Sequence, residues 1–381
     1  MILFSILLLA LSLLAGSVQA GSRHWEVHPS KLAARAVSVI PGDSAKDTRL
    51  WPKRTLTYAF ANSNAKVMLK GIFHSATQHW NLLKGFNYNE ISLSKCNEKR
   101  TECLVVNYND EGRLSSTVAI PALDASDASY VGPVMHLSDR ADVGHLDVNV
   151  NAAHELGHAW GLYHEHQVPR WWKTSPQDLV DMRESGWLSI YYGSIFHTNK
   201  FRCENLRGFD TAKASLAREL KVNVEELTVA NINKLCRQHN TARRHKFFAV
   251  EWVPIDGLIM NFDESFDPQS LMLYPSGSGG VGGIGDDGTD NRMPVLLYSD
   301  DSKIEIKTGT STADVKKLQD LYGVDAKGKS TLHNEKGNLL SGTLKRLRSM
   351  LSSSHWPLVE IEFESSIVNL ASSKLLLCPL C

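Results

Sequence analysis

The chain has 381 residues, 41 Lys and Arg balanced by 41 Asp and Glu, 43% hydrophobic residues and 22% charged ones. At roughly 100–200 residues per domain this is one large domain or two modest ones, with enough apolar content to bury a core. Zero net charge leaves no long-range pull toward polyanions, so nucleic acid is not an expected partner, and the ordinary Gly, Pro and charge content excludes collagen-like, disordered and coiled-coil chains.

The first twenty residues are of another kind. Met1 to Ala15 is nearly all Leu, Ile, Ala and Ser, and Val18-Gln19-Ala20 is a small-x-small ending. The run is short for a bilayer and polar sequence follows, which predicts a cleaved signal peptide over 1–20 and a secreted, extracellular protein with no stable membrane span. An oxidising compartment then applies to Cys96, Cys103, Cys203, Cys236, Cys378 and Cys381. Six cysteines allow 15 pairings; proximity favours Cys96 with Cys103 and Cys203 with Cys236. Cys378-Pro379-Leu380-Cys381 has C-x-x-C spacing but stands at a chain end.

Residues 21–48 mix Gly, Pro, Ser and basic residues without periodicity, as a pro-segment would. Leu56, Tyr58 and Phe60 alternate with polar neighbours and predict a strand over 54–60. Leu69, Ile72, Phe73, Ala76, Trp80 and Leu83 share one helical face, so a helix is expected over 65–84. Further strands are expected at 103–108, 116–120 and 130–137. Together these describe an α+β domain whose helices back a twisted sheet. From 187 to 258 the sequence turns polar and helix-prone, with helices expected at 212–220 and 225–235. Residues 277–290 form a Gly/Asp-rich loop. A last helix is expected over 311–322, capped by Ser311 or Thr312, and 326–381 reads as a weakly ordered tail.

The chemistry concentrates in Ala152-Ala153-His154-Glu155-Leu156-Gly157-His158-Ala159-Trp160-Gly161-Leu162-Tyr163-His164-Glu165-His166. Residues four apart share a helix face, so His154 and His158 can offer two imidazoles to one zinc ion. Glu155 is turned by about 100° and sits beside the metal, placed to take a proton from water there. On an unbroken helix His164 would point about 280° away from His154. Gly161, free to adopt positive φ, lets the helix stop and the chain turn back, so that His164 closes the site. Three neutral imidazoles leave a fourth position open, the pattern of a catalytic and not a structural zinc site. His166, two positions beyond, is expected to be exposed.

Here the chain resembles the metzincin metalloproteases, whose H-E-x-x-H-x-x-G-x-x-H signature is followed by a Met-containing turn. Ser270-Leu271-Met272-Leu273-Tyr274 matches that turn. Among metzincins the chain is most similar to the astacin family. Glu165 follows the third histidine, Leu50-Trp51-Pro52 precedes the first strand, and Trp80 ends the first helix. Asp314-Val315-Lys316-Lys317-Leu318 with Leu321-Tyr322 matches the closing helix.

The resemblance spans 49–324 and implies a two-lobed metzincin-like zinc protease domain with its cleft between the lobes. It implies Zn2+ on His154, His158 and His164, Glu155 as general base and then acid, and Met272 as an apolar floor. Tyr274 would be a phenol that stabilises the oxyanion, and Glu165 would pair with a new amino terminus. The reaction implied is hydrolysis of protein or peptide substrates by a secreted zinc endopeptidase. Astacin-like pro-segments use an Asp after Gly as a latch, and Gly42-Asp43 is read either as that latch or as a simple turn. Against the family pattern, Leu273 stands where the Met-turn usually has His, and Gly323-Val324 replaces the cysteine after the closing Leu-Tyr, so the family's disulfide scheme does not carry over. Residues 187–258 exceed the family core. Two other readings are a secreted inactive zinc-binding interaction protein, which would have no need of Glu155 or Tyr274, and a metzincin outside the astacin family, which Glu165 and Tyr274 disfavour.

Overall fold

Alternation at 55–60 does form a strand, and that strand lies inside a six-stranded sheet. The order across it is β1 (Glu26–Val27), β5 (Ser115–Ser116), β6 (Val134–Leu137), β4 (Leu104–Tyr108), β2 (Thr55–Phe60) and β3 (Asn87–Glu90). The computed structural model describes residues 26–27, 38–42, 47–122, 132–185, 190–255, 261 and 265–324. The expected signal peptide, Asp43, Cys378, Cys381 and the tail 326–381 lie outside the described residues.

Every strand pair is parallel except β5 with β6. Register places Tyr58 beside Leu104, Phe60 beside Val106, and Tyr108 beside Leu137. One face of β2 meets the helix α1 (Ser63–His79), where Phe73 stacks on Tyr58 at 4.4 Å and meets Phe60 edge-on at 6.1 Å. The other face sends Ala59 to a small cluster with Val105, Cys96 and Cys103, covered by α2 (Leu93–Glu98). Period-two packing on both faces is what a covered parallel sheet requires.

Asn62 caps α1 by accepting from the Ala65 N–H at 2.8 Å. The helix stops at His79, short of the expected 84, because Trp80 leaves the helical line and donates its indole N–H to the Ala153 carbonyl at 2.9 Å. That carbonyl belongs to α3 (Val148–Trp160), capped by Asp147 and buried from Val150 to Trp160. α1 and α3 pack against each other and against the sheet.

The expected strand at 116–120 shortens to Ser115–Ser116; beyond it Ile120 makes only an isolated bridge to Arg49, and Ala119 adopts positive φ at 51°. The segment expected over 225–235 divides into a 3-10 turn at Val224–Glu226 and a helix at Val229–Arg237 that starts from the Thr228 cap. Between 172 and 248 lie a two-stranded parallel pair, β7 (Trp172–Lys173) with β8 (Phe196–His197), and the helices α4 (Pro176–Ser185), α5 (Phe209–Leu220), α6 (Val229–Arg237) and α7 (His239–Arg244). The disulfides Cys96–Cys103 and Cys203–Cys236 form as proximity favoured. Ser311 is the residue that caps α8 (Thr312–Leu321), in a capping box with Asp314. No helix among the described residues is long and apolar enough to cross a membrane.

Candidate metal centre

α3 ends where its glycine says it must. Gly161 has φ of 115°, its N–H reaches the His158 carbonyl at 2.8 Å, and Leu162 N–H reaches the Gly157 carbonyl at 2.9 Å. The bonds close the helix with a left-handed residue that only glycine adopts without strain. A Cβ there would also stand 3.2 Å from Leu321 and from Val39. Ser38 pairs antiparallel with Leu162, and Val39 is buried against this turn. The chain then reverses and His164 faces the two helical histidines.

His158 Nε2 lies 3.1 Å from His154 Nε2 and 3.0 Å from His164 Nε2, and all three rings are buried. Each Nδ1 has its own acceptor: Leu271 O at 2.8 Å for His154, Leu162 O at 2.7 Å for His158 and Gln167 Oε1 at 2.8 Å for His164. A carbonyl oxygen only accepts, so the ring protons sit on Nδ1 and the Nε2 lone pairs converge. Lone pairs that converge with His158 Nε2 3.1 and 3.0 Å from the other two repel one another unless a cation lies among them. Nitrogens bound tetrahedrally at about 2.0–2.1 Å from zinc stand about 3.3–3.4 Å apart, close to the separations here. The cluster fits a Zn2+ ion. Burial holds His158 down to about 4 and His154 and His164 well below the usual imidazole range, which keeps the donors neutral.

Glu155, next to the first ligand, is buried, and neither carboxylate oxygen has a hydrogen-bond partner among the described residues. Burial, and then the charge of Glu251, push its carboxyl well above the usual range. Such a group is a proton acceptor that no hydrogen bond among the described residues satisfies. Tyr274 is buried with its ring centroid 4.2 Å from that of His164 and 5.5 Å from that of His154. Met272 is buried beneath α3; a Cβ on Gly157 would stand 2.5 Å from its sulfur.

Two segments hold this group in place. The Leu271 carbonyl accepts from His154 and also from His145 Nε2 at 3.2 Å, and the Met272 carbonyl accepts from the Glu165 N–H at 3.0 Å. Asp314 of α8 accepts from Ser270 Oγ at 2.6 Å and from the Leu271 N–H at 2.7 Å. Glu165 is buried, and the partners it has here come from the described residues. Lys317 Nζ donates to Oε2 at 2.9 Å, and the Asp267 N–H donates to Oε1 at 3.2 Å. Burial pushes the Glu165 carboxyl up, and Lys317 acts against that shift.

His166 is not exposed as expected. It is buried, stacks on His164 at 5.2 Å, and donates from Nε2 to the Glu251 carbonyl at 2.9 Å. Its short distance from the third ligand along the chain draws it under the same roof. Trp172 is likewise core, while Trp171 lines a pocket of about 590 Å³ with Pro169, Tyr191, Ile195 and Phe266. Gln167, Glu251 and His145 have no place in the sequence reading, and Lys317 enters it only as part of the closing-helix match. Only Gln167 carried a local signal, three positions after a ligand.

Fold and site together define a mixed αβ protein with a three-histidine zinc site on a glycine-ended helix over a methionine turn, an arrangement that resembles the astacin-like metzincins. No protein-family model matches the chain, and no curated protein sequence does. Among solved structures it is similar to high choriolytic enzyme 1, a hatching enzyme zinc-protease from Oryzias latipes (medaka fish), at 13% identity and a TM-score of 0.38, over 75% of this chain and 98% of that one. Two structures of myroilysin are also similar, at 13% and 15% identity and TM-scores of 0.35 and 0.37, each over 80% of this chain and over 96% and 93% of theirs.

Proposed function

We propose that the chain is a secreted zinc-dependent endopeptidase. The observation that carries this reading is the convergence of three Nε2 lone pairs, each ring oriented by an Nδ1 acceptor, at a helix whose buried Glu155 carboxylate has no hydrogen-bond partner among the described residues. Bound zinc would supply a Lewis acid that acidifies water and polarises a carbonyl. His154, His158 and His164 would hold it. Glu155 would take the proton from the attacking water and return it to the leaving amine, because it follows the first ligand on the same helix, about 100° around from it. Tyr274, beside His164, would donate its phenol proton to the developing oxyanion. Residues 1–20 would act as the secretion signal, 21–48 as the pro-segment and 49–325 as a two-lobed catalytic domain.

The test is cleavage of denatured casein by purified, signal-trimmed protein with and without a zinc chelator, followed by sequencing of the cut ends. Cleavage that disappears with chelation and returns with zinc supports the reading. Stoichiometric zinc with no cleavage of any peptide would replace it with the inactive interaction protein.

A further inference from the structure

The third ligand differs from the other two in how its ring is held. His154 and His158 donate to backbone carbonyls, whereas His164 donates to a side chain, the amide oxygen of Gln167. A long, rotatable side chain orients nothing unless it is itself fixed. Gln167 is fixed from the insertion: its Nε2 donates to the Val250 carbonyl at 3.1 Å and to the Val253 carbonyl at 3.3 Å. Those two bonds use both amide hydrogens and leave the oxygen facing His164. The backbone agrees, since the Gln167 carbonyl accepts from the Ile255 N–H at 2.9 Å and His166 donates to the Glu251 carbonyl. Glu251 also brings a carboxylate oxygen to 4.0 Å from His164 Nδ1. With His164 held neutral, that approach is no ion pair. The turn at Phe248–Glu251 packs on α6, which the Cys203–Cys236 disulfide ties to the start of the helical region.

We propose that Gln167 is a positioning residue through which the insertion sets the orientation of the third metal ligand, so that residues 248–255 belong to the metal centre. An acceptor on the outer nitrogen of a ligating histidine fixes ring and tautomer, and its loss typically lowers metal affinity about 10–100-fold. This inference rests on the zinc reading above.

The experiment measures the zinc dissociation constant of the full chain by chelator competition, with the visible spectrum of the cobalt(II) form as a second readout. Gln167→Met removes both the acceptor and the two donors; it should weaken zinc about 10–100-fold and shift the cobalt bands. Gln167→Glu keeps an acceptor for His164 but offers the Val250 and Val253 carbonyls no donor, so it should weaken zinc less than Gln167→Met does. Cys203→Ala/Cys236→Ala alters nothing that touches the ligands, yet should weaken zinc several-fold by loosening the insertion. Wild-type affinity in Gln167→Met, or equal weakening in both Gln167 variants, overturns the positioning role. Unaltered affinity in the disulfide variant overturns the part given to the insertion, and that arm decides alone if the Gln167 variants do not fold. A wild-type chain that takes up no zinc overturns the metal reading together with this one.

Discussion

A carboxylate next in the chain to the first ligand and a phenol packed on the rings of His154 and His164, both buried, divide the proposed chemistry between them. Glu155 stands one position, about 100° around the helix, from the first ligand and is not in the three-histidine cluster, so Glu155→Ala should keep one zinc per chain by metal analysis and lose peptide cleavage altogether. Cleavage retained in that variant would sink the general-base role. Tyr274→Phe removes one hydroxyl and keeps the ring that packs on His164. Donors aimed at a developing oxyanion are worth about 2.7–4 kcal/mol, so kcat should fall about 100- to 1,000-fold with KM and zinc content little changed. A kcat within about threefold of wild type would make Tyr274 a packing residue only. Gly157 is a residue of a different sort. It lies between the two helical ligands, and Gly157→Ala drives a methyl into the Met272 sulfur. Overpacking of this kind costs about 1–3 kcal/mol, readable as a lowered urea midpoint.

Among the elements, α8 carries the most weight for its length. Its capping residue Ser311 reaches Asp267, its Asp314 holds the Met-turn backbone, and its Lys317 neutralises the carboxylate that follows the third ligand. One short helix therefore clamps both segments that approach α3 from outside. Removing one partner of a buried ion pair leaves the other charge stranded, at a cost of about 3–5 kcal/mol. Lys317→Met should lower stability by that amount in urea denaturation, and Lys317→Met/Glu165→Gln should recover most of it, because the stranded charge is then gone as well. If the double variant is as unstable as the single one, Lys317 acts by packing and not by charge.

For the whole molecule, acid is the expected weakness. Burial lowers five histidines of the centre: His158 to about 4, His145 and His166 to about 3, His154 and His164 well below the ordinary value. In the unfolded chain all five titrate near about 6.5. Below that pH the unfolded state takes up protons that the folded state refuses, so the stability is full above about 6.5 and is lost as pH falls toward 4. The buried carboxyls of Glu155, Glu165 and Asp314 are raised and act with the opposite sign, three groups against five. The urea midpoint of the metal-free chain should therefore fall between pH 7 and pH 5; a flat or rising midpoint would mean that the carboxyls outweigh the imidazoles.

What could be read from the sequence was whatever depends on local spacing. Helical periodicity placed His154 and His158 on one face, Gly161 marked the turn that frees His164, alternation found β2, and the Ser311 cap found α8. These rest on interactions within about ten residues, where covalent geometry and period decide the outcome. Errors fell where distant segments compete for the same backbone. Trp80 is drawn off its helix line by a carbonyl of α3, and the strand expected at 116–120 gives way to a left-handed residue at Ala119 whose N–H goes to the His158 carbonyl. Partners across long separations were invisible for the same reason: Lys317 meets Glu165 across 152 positions and His166 meets Glu251 across 85. No periodicity encodes such pairs. Only the packed chain brings the buried Glu165 carboxylate to Lys317, and the amide that meets a ligand's outer nitrogen to the carbonyls of Val250 and Val253.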